Sequence, residues 1–179
     1  VMGAGIAQTA AQAGHAGLLF DTRDGAARDA KAKLASTFAG LVAKGKITAD
    51  ATQATLARIE PLATIEGAAK VGLVVEAIVE NLDVKRALFK QIEAIVSAHC
   101  VLATNTSSIS ITAIANGLQH SGRLVGMHFF NPVPLMKLVE VVSGLHTDPA
   151  VAEAIFELSA QWSKTPVHAK STPGFIVNR

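Results

Sequence analysis

The feature that most constrains this chain is the alternation of apolar runs of strand length with longer stretches of helical period. Val71 to Ala77 (VGLVVEA), Val101 to Asn105 (VLATN) and Leu124 to Phe130 (LVGMHFF) are continuous apolar runs of the first kind. Asp83 to Ser97 spaces Leu88, Phe89, Ile92, Ile95 and Val96 as a helix with one apolar face does. Strands that read as unbroken apolar runs are covered on both faces, which is the condition of a parallel sheet between helices. The expected class is α/β, a Rossmann-type doubly wound and mostly parallel sheet.

Further elements fill that frame. Gly3 to Ala13 reads as a helix that Gly14 stops, and Gly17 to Phe20 as a short buried strand ending at Asp21. Asp24 is the expected cap of a long helix from Gly25 to Lys44, and Thr48 that of a second helix towards Ile59. Glu60 to Ala63 is a short strand candidate. Lys137 to Ser143 alternates, as a strand with one wetter face does, and Asp148 to Trp162 closes the series as a helix.

Composition excludes several classes. Half of the 179 residues are hydrophobic, which suits a single folded domain rather than a disordered chain. The net charge is +2, and the sixteen Lys and Arg are spread along the chain, so nucleic acid is not a favoured partner despite a pI near 8.8. Cys100 is the single cysteine and forms no internal disulfide, which fits a reducing cytoplasm. No apolar stretch approaches the roughly 20 residues of a bilayer span, so no membrane association is expected.

The start of the chain, VMGAGIAQ, has the form of the end of a dinucleotide fingerprint. In that motif a strand leads into G-x-G-x-x-G and a helix whose N-terminal amides meet a pyrophosphate. Gly3 is then the third glycine, the one that allows close helix packing, and the first strand with two glycines lies upstream of Val1 at the centre of the sheet. Asp21 falls where an acidic residue, about 20 residues on, holds the ribose hydroxyls of NAD. Taken alone, a glycine opening a helix and an acid closing a strand are common.

Four stretches carry a more specific pattern: VVEAIVENLDVK at Val74 to Lys85, NTSSISI at Asn105 to Ile111, GMHFFNPVPLMKLVEVV at Gly126 to Val142, and TPGFIVNR at Thr172 to Arg179. In content, order and spacing they resemble the NAD-binding domain of the 3-hydroxyacyl-CoA dehydrogenase family across essentially the whole chain. The resemblance implies reversible hydride transfer between C3 of an (S)-3-hydroxyacyl-CoA and NAD. It places His128 as the base that takes the hydroxyl proton and Glu140 as the carboxylate that orients it, in line with the chemistry an imidazole offers near neutrality. A satisfied core histidine and a solvated edge-strand glutamate are the plain alternatives.

By the same resemblance Ser107, Asn131 and Asn178 line the substrate, with Ser107 on its C3 oxygen. Glu80 and Lys85 contact the nicotinamide half of NAD, and Asn105 sits close to that ring. Ser107 and Ser108 equally suit an ordinary turn or helix cap before Ile109 to Ala115, and Glu80 and Lys85 equally suit solvated helix charges. Lys44 or Lys46 is placed to meet the phosphates of CoA, or is simply solvated. No metal site is expected. The family pattern continues past Arg179 into a helical domain that covers the acyl chain and forms a homodimer, so residues 1–179 read as one truncated nucleotide-binding domain. As such, the chain by itself is expected to bind NAD poorly and to have little or no activity.

ITAIA, VVSGL and STPGFIVNR lean towards a 3-hydroxyadipyl-CoA branch of phenylacetate degradation. The rival readings are another β-hydroxyacid dehydrogenase, which the histidine of GMHFFNP argues against, a non-catalytic nucleotide binder on the same fold, and one part of a multifunctional β-oxidation protein.

Overall fold

The computed structural model describes residues 1–172 and 174–177. In chain order the elements are α1 (Met2–Gln12), β1 (Gly17–Leu19), α2 (Ala26–Ala43), α3 (Ala49–Ala57), β2 (Ile59–Pro61), β3 (Leu73–Glu76) and α4 (Leu82–Ile95). Then follow β4 (Val101–Thr104), α5 (Ile111–Ala115), β5 (Leu124–Phe129), β6 (Leu138–Ser143), α6 (Pro149–Gln161) and β7 (Thr165–Lys170). Parallel strands joined by helices give the expected Rossmann-type α/β layering.

Hydrogen bonding divides the strands into two sheets. β1 and β2 pair in parallel, and β3-β4-β5-β6-β7 form a second sheet in that order. β3, β4 and β5 run parallel, β6 is antiparallel to β5, and β7 is parallel to β6. Because side chains alternate across a strand, β5 serves two cores. Val125, Met127 and Phe129 pack with Ile6 and Ala10 of α1 and Ala152 and Ile155 of α6. Leu124 turns the other way, with Phe89 and Ile92 of α4 and Ile111 and Ile114 of α5. Gly126 faces this second side, where an added Cβ would lie 2.7 Å from the Val142 Cβ and 3.0 Å from Ile111 Cδ1. The absence of a side chain there lets β6 and α5 close on the strand that carries His128.

Several local expectations change. The N-cap of α2 is Gly25, at φ 76°, and Asp24 instead forms an exposed ion pair with Arg28 at 3.7 Å. The left-handed conformation suits glycine and places the preceding acid outside capping reach. α3 is capped as expected, with Thr48 accepting from the Ala51 amide. α5 begins at Ile111 under a Ser110 cap, so neither Ser107 nor Ser108 is its cap. β6 has no wet face, since Val139 to Val142 are all buried. Its faces are covered by α6 on the side of Val139 and Val141 and by Ile111 and Phe175 on the side of Val142, and its outer edge is paired along its whole length with β7, which the sequence reading did not include. At Gly3 an added Cβ meets nothing within 4 Å among the described residues, whereas at Gly5 it would stand 3.0 Å from the Val133 Cβ.

Candidate active site

The parallel strands β3, β4 and β5 end on one edge of the sheet, and most of the proposed residues gather there. His128 and Glu140 are directly opposite in the antiparallel β5–β6 ladder, so their side chains share a face. His128 Nδ1 lies 2.7 Å from Glu140 Oε2, with the side chains 6% and 0% exposed. The other carboxylate oxygen of Glu140 accepts from the amides of Ile176 (2.9 Å) and Val177 (3.0 Å). A turn through Gly174 (φ 76°) and Phe175 (φ 50°) presents those amides. The unusual left-handed Phe175 is fixed by burial of its ring, which also meets the His128 ring edge-on at 5.7 Å. Phe130 covers the imidazole at 4.5 Å.

An ionised carboxylate only accepts, so a neutral His128 facing Glu140 carries its proton on Nδ1 and leaves Nε2 as an acceptor. No hydrogen bond reaches Nε2 among the described residues. A dry imidazole with its tautomer fixed and one nitrogen uncommitted is equipped to take a proton from a hydroxyl and to return it.

The neighbouring strand end supplies polar groups. Asn105 follows β4, and its Oδ1 accepts from the Phe129 amide at 2.8 Å, which strings β4 to β5 beyond their last paired residues and leaves the amide NH2 as a donor. Ser107 is half-buried, and its own amide donates to Glu80 Oε1 at 3.0 Å. Glu80 also accepts from the hydroxyl of Thr106 (2.6 Å) and from the amide and hydroxyl of Ser108 (both 3.1 Å). Partial burial pushes the Glu80 carboxyl upward, but the Thr106 hydroxyl, the Ser107 amide, the Lys85 charge and Ser108 outweigh it, and the net direction is down. Lys85 is no solvated helix charge. It is 1% exposed, 2.7 Å from Glu76 and 3.4 Å from Glu80.

Asn131 is exposed and precedes Pro132 through a cis peptide bond, in the connection between β5 and β6. Asn178 lies outside the described residues. Sequence reasoning did not single out Glu76, Thr104, Thr106 or Lys164. Lys164 is buried and binds the carbonyls of Val133 and Met136 (2.9 Å to the latter), tying the β5–β6 connection to the start of β7. An acid ending a strand and a lysine one turn into the next helix give no signal until the fold brings them together.

Two features near the start of the chain suit a dinucleotide. Asp21 is exposed just past β1; one oxygen accepts from the Arg23 amide at 2.9 Å and the other carries no bond among the described residues. α1 has no side-chain cap, so its first amides remain available to an anion. A carboxylate oxygen left over in this way is the kind of acceptor that ribose hydroxyls require and that a 2′-phosphate would repel. Among the described residues no group of His, Cys, Asp and Glu is arranged to hold a metal ion, and no helix is long and apolar enough to cross a membrane.

Comparison with solved structures sets this fold among dehydrogenases. A 3-hydroxybutyryl-CoA dehydrogenase from Escherichia coli K12 superposes with a TM-score of 0.96 at 48% identity, over 98% of this chain and 37% of that one. An (S)-3-hydroxybutyryl-CoA dehydrogenase from Ralstonia eutropha gives 0.95 at 41% identity, over 99% and 62%. Among curated proteins, the 3-hydroxyadipyl-CoA dehydrogenase of Escherichia coli (strain K12) is 49% identical over 178 residues, 99% of this chain and 38% of that protein. The family described as 3-hydroxyacyl-CoA dehydrogenase, NAD binding domain, matches residues 1–172, and the chain belongs to it. It spans less than two thirds of the length of each of these relatives.

Proposed function

We propose that the protein containing this chain oxidises the C3 hydroxyl of an (S)-3-hydroxyacyl-CoA, and reduces the 3-keto group in the reverse direction, with NAD as redox partner. The observation that carries the reading is the buried His128–Glu140 pair, 2.7 Å apart, with Nε2 uncommitted at the carboxyl edge of the sheet. NAD, when bound, supplies the hydride acceptor. His128 Nε2 takes the hydroxyl proton as the C3–H bond breaks, and Glu140 holds the ring and favours the imidazolium that results. The Ser107 hydroxyl, which has no partner among the described residues, bonds the C3 oxygen, while its loop is held through the Ser107 and Ser108 amides and the Thr106 and Ser108 hydroxyls.

The curated relative from Escherichia coli (strain K12) acts on 3-hydroxyadipyl-CoA by its name, and the ITAIA, VVSGL and STPGFIVNR stretches of this chain favour that dicarboxylic acyl group here. Asn131 and Asn178 belong to the substrate side, while Gly3, Asp21, Asn105 and Glu80, with Lys85 behind Glu80, belong to the cofactor side. Dimerisation through a following helical domain and a cytoplasmic location complete the proposal.

The test is oxidation of NADH, against NADPH, with acetoacetyl-CoA and 3-oxoadipyl-CoA, using the full-length protein. Rapid turnover with NADH supports the proposal, and the ratio of the two kcat/KM values sets the acyl preference. A folded protein that binds NAD without turning over either substrate is a non-catalytic nucleotide binder. In the active protein, His128→Gln is expected to lower kcat by about 10² to 10⁴ with NAD affinity nearly unchanged.

A further inference from the structure

Three charged side chains beside the site form a connected chain for which hydride transfer itself has no use. Glu76 ends β3 and is 3% exposed; Lys85, in the first turns of α4, is 1% exposed; Glu80 lies on the connection between them. Glu76 Oε1 accepts from the Lys85 ammonium at 2.7 Å and from the Ile78 amide at 2.6 Å, and its Oε2 accepts from the Thr104 hydroxyl at 2.6 Å. The other side of the ammonium meets Glu80 Oε2 at 3.4 Å. Glu80 Oε1 then collects Thr106, Ser107 and Ser108.

Taking an isolated charge pair out of water costs about as much as the pair returns, so a buried ion pair is weak as a stabiliser. What this one supplies is geometry. Its acidic end ties β3, which carries Glu76, to β4 through Thr104, and its basic end, Lys85, is carried by α4. Its third member grips the loop that follows β4 by the amides of Ser107 and Ser108 and the hydroxyls of Thr106 and Ser108, leaving the Ser107 hydroxyl without a partner among the described residues. We infer that Glu76 and Lys85 are positioning residues that act through Glu80 to hold the 106–108 loop, and with it Ser107, in the conformation that meets the C3 oxygen of the substrate. The catalytic part of this inference rests on the function proposed above; the clamp itself does not.

Two measurements on the full-length protein separate these parts. Glu76→Gln keeps the shape and removes the charge that fixes Lys85. Should the lone ammonium prevent folding, Glu76→Gln with Lys85→Met removes both charges together. Amide hydrogen exchange at Ser107, Ser108 and Ile109 is expected to speed up by about tenfold or more in either variant, with β5 and β6 unaffected. kcat for acetoacetyl-CoA reduction is expected to fall by about tenfold to a hundredfold, with the pH profile unchanged because the His128–Glu140 pair is untouched. In a Ser107→Ala background the same change is expected to have almost no further effect, since residues acting through one group are not additive.

Unchanged exchange in the loop overturns the clamp. Faster exchange with fully additive kinetic effects overturns the action through Ser107. If the parent protein turns over no 3-ketoacyl-CoA, the functional proposal fails, and the exchange measurement alone decides whether the clamp exists.

Discussion

Glu140 is held so that only one exchange of its atoms is open to a glutamine. In Glu140→Gln the amides of Ile176 and Val177, which now donate to Oε1, require an acceptor and therefore select the amide oxygen. The NH2 group is then left facing His128 Nδ1, which becomes an acceptor, and the ring proton moves to Nε2 where an acceptor is needed. The variant is expected to fold and to bind NAD, yet to lose about 10² to 10⁴ in kcat, as a base in the wrong tautomer does. Comparison of kcat with Glu140→Asp, which keeps an acceptor but not its reach, checks the point; wild-type turnover in the glutamine variant removes tautomer control from the mechanism. Asp21→Ala belongs to the other end of the site. Loss of a charged hydrogen-bond partner is worth about 1.5–3 kcal/mol, so NAD affinity is expected to weaken by about tenfold to a hundredfold while kcat at saturating NAD holds. Calorimetric titration with unchanged NAD affinity makes Asp21 a strand-end residue only.

At the scale of elements, the strands that read as continuous apolar runs were the most legible. β4 and β5 fall almost where VLATN and LVGMHFF place them, because burial on both faces leaves no other sequence for them to have. β7 was not legible: TPVHAK contains Pro166 and alternates poorly, which an edge strand tolerates and a pattern search discounts. β7 also removes the alternative of a solvated edge-strand glutamate at position 140, since it pairs with β6 on its outer side. The pairing of His128 with Glu140 came from family resemblance, whereas its dryness comes from tertiary cover, the rings of Phe130 and Phe175 and the strand β7 beside β6. Gly126 is the element-scale counterpart. Gly126→Ala forces a methyl to 2.7 Å from Val142 and is expected to cost about 1–3 kcal/mol in chemical denaturation, with β6 displaced from β5. A variant as stable as the parent shows that β6 moves aside without cost. Glu93 joins α4 to the chain before β5 through the amides of Gln119 and His120 and the Arg123 guanidinium. Burial alone raises its carboxyl pKa, but those partners outweigh it and the net shift is down. The folded carboxyl therefore stabilises the fold above its ordinary value of about 4.3, and that contribution is lost as pH falls through the lower folded value. Glu93→Gln is expected to be less stable than the parent at pH 7 and to show a shallower loss on acidification, read from urea midpoints at both pH values; parallel acid limbs refute it.

For the molecule as a whole, the consequence of the two-sheet division is uneven stability. β1 and β2 are three residues each and pair only with one another, and a two-stranded sheet is marginal without a hydrophobic face to dock. The helices over them contribute little core: α2 buries Ala26, Ala27 and Phe38, and α3 buries Thr52 and Thr55. Against this, all six residues of β5 are buried, and β5 and β6 stand between partners on both sides. α1 is the joint, sharing Ile6 and Ala10 with the main core while Arg58, next to β2, donates to the Ala11 carbonyl at 3.3 Å. Local opening follows the amount of apolar surface that holds a segment down. Residues 17–19 and 59–61 are therefore expected to exchange their amides through a lower-energy opening than residues 125–128 and 139–142 in this 179-residue chain. In the full-length protein, saturating NAD is expected to protect the first group more than the second, because Asp21 and the start of α1 border it. Native-state hydrogen exchange with and without NAD measures both. Equal protection across the two groups would mean that α1 welds the sheets into one cooperative unit, and Asp21 would then be carried on a platform as rigid as the one that carries His128.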